Sequence, residues 1–139
     1  MNTTMARRHG GPTPLMTLDP MEIDQLPWWP VPECPGVIAK ELWAAGDRHD
    51  ALISYGAGCV TPGRSHPGAE HHIWVVSGSA SIAGRHVVAG SYLHVPPGTA
   101  HPITAGPGGC LLLQMHRSTW DTPHPSEKRA PRPLVPTER

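Results

Sequence analysis

Proline and glycine interrupt this chain so often that a long helix has nowhere to run: 18 Pro and 15 Gly fall among 139 residues. Proline removes a backbone donor and clashes inside a helix, and glycine frees the backbone for turns, so the pattern calls for short strands joined tightly. Val37–Trp43 and Ala51–Tyr55 are candidate strands. His71–Ser77 is the strongest, with His71, Ile73, Val75 and Ser77 on one face and His72, Trp74 and Val76 on the other. Ser79–Ala83 and His86–Val88 flank Gly84 in a hairpin pattern, and Tyr92–Val95 ends at the hard turn Pro96, Pro97, Gly98. Cys110–His116 is a late strand expected to follow a turn over Gly106–Gly109. Met21–Leu26 is expected to form one helical turn. Strands this short at this spacing predict an all-β sandwich or barrel.

The two ends read differently from the middle. Residues 1–20 are polar and broken by Gly11, Pro12 and Pro14, which predicts a mobile N-terminal arm. Residues 121–139 place five prolines among charges and predict an extended tail that stays out of any sheet interior. Residues 21–120 are the expected barrel domain. Eleven basic and eleven acidic side chains give a formal charge of zero without a basic stripe, which argues against nucleic acid as a partner. No run approaches the roughly 20 apolar residues that span a bilayer, and Gly10–Thr17 is too short and too rich in Gly and Pro for a signal-peptide core. Cys34, Cys59 and Cys110 are odd in number and widely spaced, so neither a zinc knuckle nor a disulfide framework is indicated, and a reducing cytoplasm fits best.

Two segments carry spaced chemistry. In the first, Gly58 is followed by five residues, then Arg64, Ser65, His66, four residues, His71, six residues and Gly78. In the second, Gly90, Pro96, Gly98 and His101 stand at intervals of six, two and three. Together they resemble the two motifs of the cupin superfamily, G-x5-H-x-H-x3,4-E-x6-G and G-x5-P-x-G-x2-H-x3-N. The spacing is kept throughout. Arg64 stands where the first His is usual, His71 where the Glu is usual, and Ala105 where the Asn is usual. The lead-in from Trp29 to Leu42 is similar to one cupin branch, which includes the cupin half of zinc-binding anti-sigma factors and the acetylacetone-cleaving iron dioxygenases. The resemblance implies a cupin-type double-stranded β-helix, a jelly-roll barrel with a metal at the inner end of its cavity, here carrying extended N- and C-terminal arms.

On that reading His66, His71 and His101 are the expected metal ligands. Three neutral imidazoles suit Fe(II), Zn, Ni, Mn or Cu and leave positions open for water, substrate or dioxygen; the resemblance to the iron dioxygenases implies Fe(II) first. Glu70 stays open as an alternative to His71, since it too lies at an allowed spacing and a bulge could turn it inward. Arg64 shares the parity of His66 and offers a guanidinium fork for a substrate carboxylate or enolate. His94 and Tyr92 are the other expected catalytic residues, as a proton donor or a supporting group should their strand face the cavity. Tyr55, Gln114 and His116 are second-tier candidates, and His72 should face away.

The function expected first is a mononuclear non-haem Fe(II) dioxygenase acting on a small anionic or enolisable substrate. A redox-neutral isomerase, cyclase or lyase resembling the polyketide cyclases is the alternative, and a non-catalytic regulatory cupin a third. Trp74, on the outward face of its strand, is compatible with a homodimer.

Overall fold

The computed structural model describes residues 15–63 and 67–118. A short helix, α1 (Pro20–Gln25), precedes eight strands: β1 (Trp29–Pro30), β2 (Val37–Ala45), β3 (Arg48–Tyr55), β4 (Val60–Thr61), β5 (Ala69–Ile82), β6 (Arg85–Val88), β7 (Tyr92–Val95) and β8 (Ile103–Ser118). The pairing order is β1-β2-β3-β8-β5-β6, with β4 added on β8 and β7 on β5. Every pairing is antiparallel. The described residues adopt the expected all-β cupin architecture, whereas most of the expected N-terminal arm (residues 1–14) and the whole of the expected C-terminal tail (residues 121–139) lie outside them.

Two long strands organise the fold. β5 runs unbroken over 14 residues where the sequence suggests two strands, and β8 over 16 residues, absorbing the expected Gly106–Gly109 turn. The reason lies where β3, β5 and β8 press together. Gly78 has φ +78° and Gly109 φ +77°. A Cβ on Gly78 would lie 2.2 Å from the Gly109 carbonyl oxygen, and one on Gly109 would lie 2.5 Å from that of Tyr55. Only glycine lets the backbones approach this closely. Register shifts between Val75 and Ser77 and between Gly78 and Ala80 let β5 bend while staying paired: Ala80–Ile82 match Ala105–Ile103, and His71–Val75 match His116–Leu112. Glycines that read as a loop therefore mark a corner inside a strand.

The core fills from the inward face of these strands. Ile73, Ile82, Ile103, Leu112, Val37 and Val75 are the largest fully buried side chains. Each contributes about 1.5–3 kcal/mol by leaving water. The expected Gly84 hairpin is present, with Ile82 opposite Arg85.

α1 starts one residue earlier than expected, on a reciprocal cap: the Asp19 carboxylate accepts from the Glu22 N–H, and Glu22 accepts from that of Asp19. Its C-terminal end is closed from the sheet. Lys40, only 3% exposed, donates from Nζ to the Ile23 carbonyl at 2.7 Å and lies 4.6 Å from the Trp28 ring centroid. One buried ammonium thus satisfies a helix-end carbonyl and ties residues 19–28 to β2.

Candidate metal centre

Strand alternation sorts the histidines around β5. His71, Ile73 and Val75 are buried on the inner face, while Glu70, His72 and Trp74 lie on the outer one. Of the two candidates for one ligand position, the fold puts His71 inside and Glu70 outside. His101 is also buried, at 6% exposure against 8% for His71, and the two ring centroids are 4.8 Å apart. Two local features place His101. The Pro96–Thr99 turn, closed by a hydrogen bond from the Thr99 N–H to the Pro96 carbonyl, redirects the chain inward. Gly63 then packs so tightly on the backbone of His101 that a Cβ would lie 2.1 Å from its carbonyl carbon, and the Gly63 carbonyl accepts from the His101 N–H at 3.2 Å.

Arg64 and His66 lie outside the described residues. Their flanks are held at the site: Gly63 against His101, and Gly68 through a hydrogen bond from Ser118 Oγ at 3.3 Å, next to the start of β5.

β8 adds two inward polar groups. His116 stands opposite His71 in the ladder, with His116 Nδ1 3.0 Å from His71 Nε2, so one nitrogen donates and the other accepts. His49 stacks on His116 with centroids 4.9 Å apart and planes 5° from parallel. Gln114 reaches the same cavity, of about 560 Å3, whose wall includes Val37, Ile53, Ile103 and Tyr55 besides His71 and His101. The parity of Leu112, Gln114 and His116 was the sequence signal for this inward row. Tyr55, 4% exposed, is hydrogen-bonded through its hydroxyl to Thr61 Oγ1 at 3.1 Å, and burial pushes its pKa up to about 12. It is a neutral hydroxyl at physiological pH.

Tyr92 and His94 do not meet the expectation of facing the cavity. β7 is a four-residue strand whose Val95 is buried and whose Leu93 packs against the core, so Tyr92 and His94 point outward. There they join Glu70 and His72. His94 Nε2 lies 2.5 Å from Glu70 Oε1, His72 Nε2 lies 3.8 Å from the same oxygen, and His72 Nδ1 lies 2.6 Å from the Tyr92 hydroxyl. One donor atom from each of Glu70, His72 and His94 falls within 4.8 Å of the others, an arrangement able to hold a metal ion. Partial burial draws His72 below the ordinary imidazole pKa, with Glu70 pulling the other way. β5 therefore carries metal-ligating chemistry on both faces.

The family model of the ChrR cupin-like domain matches residues 19–119. Among curated protein sequences, none matches the chain. Solved structures share the fold at low identity. The polyketide cyclase RemF from Streptomyces resistomycificus aligns with TM-score 0.61 and 18% identity, over 74% of this chain and 80% of that one. A putative acetylacetone dioxygenase from Methylibium petroleiphilum gives 0.60 and 18%, over 74% and 78%. The complex of Rhodobacter sphaeroides SigE with the anti-sigma ChrR gives 0.57 and 19%, over 68% of this chain and 49% of that one.

Proposed function

This chain belongs to the family of ChrR cupin-like domains, and from that premise we propose that it is a metal-dependent enzyme, a mononuclear Fe(II) dioxygenase of a small anionic or enolisable substrate. The observation that carries the reading is the pair of buried imidazoles, His71 and His101, at 8% and 6% exposure and 4.8 Å between centroids, on the wall of one cavity. His71 Nε2 contacts His116 Nδ1 and His101 Nδ1 lies 3.4 Å from the Thr99 carbonyl oxygen, and two neutral imidazoles held side by side suit a divalent transition ion. His66, between the anchored residues Gly63 and Gly68, is the third ligand of this reading. When bound, the ion supplies Lewis acidity and a place for dioxygen.

The chain's own residues supply the rest. His116, in contact with His71 Nε2, is a positioning residue that fixes the ring of its neighbour. Apolar side chains of Val37, Ile53 and Ile103 form part of the wall of a volume suited to a small molecule. The neutral Tyr55 hydroxyl and the Gln114 amide offer hydrogen bonds to substrate oxygens, and Arg64 takes the substrate's negative charge. The outer-facing Tyr92 and His94 have no part in this chemistry.

A homodimer forms through the outer sheet face at Trp74, Val76 and Val88, which are 43–49% exposed. No helix among the described residues is long and apolar enough to cross a membrane. Three free cysteines accord with a reducing cytoplasm.

The test is metal analysis of protein purified without a His tag, then reconstitution with each candidate ion and oxygen uptake with 1,3-diketones and small enolisable acids. Fe(II) protein is expected to consume oxygen with substrate, and His101→Ala to lose that uptake. Turnover under strict anaerobiosis would instead assign a redox-neutral isomerase, cyclase or lyase. A closed fourth ligand on the bound ion, together with inactivity with every metal, would support a regulatory module.

A further inference from the structure

We propose that Glu70, His72 and His94 form a second transition-metal site on the outer face of the sheet, back to back with the cavity and independent of it. Strand geometry makes the triad rather than chance proximity. Glu70 and His72 are alternate residues of β5 and so share a face, and the β5–β7 ladder sets His94 directly opposite His72. The two imidazoles stack with centroids 4.9 Å apart and planes 28° from parallel, and Glu70 reaches across to both.

Tyr92 settles which His72 nitrogen is presented. Its hydroxyl engages Nδ1 at 2.6 Å, so Nε2 turns toward Glu70. This is the outer hydrogen bond that orients a ligating imidazole. The separations of 2.5 and 3.8 Å from Glu70 Oε1 to the two Nε2 atoms bracket the roughly 3.3 Å between ligands of a tetrahedral ion with bonds near 2.0–2.1 Å. Side chains 31–45% exposed close that difference by small rotations. The nearest cation in the ladder, Arg117 opposite Glu70, is already engaged by Asp50 at 2.8 Å. Two imidazoles and one carboxylate favour Zn(II), Ni(II) or Cu(II) over Mg(II) or Ca(II), and exposure leaves water in the fourth position.

The experiment uses full-length, untagged, metal-free protein and Zn(II) alone, with stoichiometry by equilibrium dialysis and mass spectrometry of the bound metal. The His72→Gln/His94→Gln variant is expected to bind one ion fewer than the wild type. Glu70→Gln is expected to weaken that ion at least tenfold, and Tyr92→Phe about tenfold, as removal of an orienting partner does. Circular dichroism reports folding of each variant, and the two single substitutions carry the test should the double variant unfold. An unchanged stoichiometry in the double variant, or unchanged affinity in Glu70→Gln, overturns the proposal. His101→Ala separates the two sites: it is expected to keep the outer ion, and if it binds as much zinc as the wild type while the double variant loses one ion, the cavity reading fails and this one stands.

Discussion

His71 and Glu70 are neighbours in sequence yet end on opposite sides of a sheet, and that parity decides much of the chemistry. The sequence left both open as ligands; β5, buried at every second residue, puts His71 inside. The likeness of Gly90–His101 to the second cupin motif made His101 legible, and the Pro96–Thr99 turn gives the physical reason for its inward position. Tyr92 and His94 were illegible for a physical reason. A four-residue strand has too little pattern to set its own phase, and pairing with β5 sets it instead. His116 was legible only as a second-tier candidate, because the residue it contacts lies 45 positions away. Two predictions belong here. In metal titrations, His101→Ala abolishes binding in the cavity, whereas His72→Ala leaves cavity occupancy nearly intact; the opposite pattern would mean the strand phase is inverted. Tyr55 ionises at 10 in the unfolded chain and at about 12 in the fold. The contribution of its neutral hydroxyl to stability is therefore complete below pH 10 and is lost as pH rises toward 12. In a Tyr92→Phe variant, where Tyr55 is the sole remaining tyrosine, phenolate absorbance should have its midpoint near pH 12. A midpoint near 10 would place the ring in water.

Elements were legible where alternation ran long and illegible where glycine carried two meanings. β7 matches its expected bounds, and β2 and β3 were found with shorter limits. Gly78 and Gly106–Gly109 read as breaks because glycine usually frees a turn, but at Gly78, Gly106 and Gly109 it removes Cβ atoms that would keep β3, β5 and β8 apart. In urea unfolding Gly109→Ala is expected to cost more than the ~1 kcal/mol typical of a point substitution, since it adds strain at positive φ to a backbone clash. Leu112→Ala, at a fully buried site between β3 and β5, is expected to cost about 2–5 kcal/mol in urea unfolding. A loss under 1 kcal/mol at Leu112 would show that the β8 inner face is not core.

At the scale of the whole molecule, a single sheet wrapped on itself carries a buried histidine pair on one side and an exposed Glu–His–His group on the other, separated by the thickness of one strand. The outer apolar residues Trp74 and Val76 continue along the same face of β5 as that group. A Trp74→Glu variant is expected to shift the proposed dimer toward monomer in light scattering without loss of cavity metal. The central claim concerns the cavity ion, and anomalous diffraction collected at the absorption edge of the reconstituted metal tests it most directly. A peak within about 2.0–2.2 Å of nitrogens from both His71 and His101 is the predicted result. A metal-loaded crystal with no peak between those rings would contradict it.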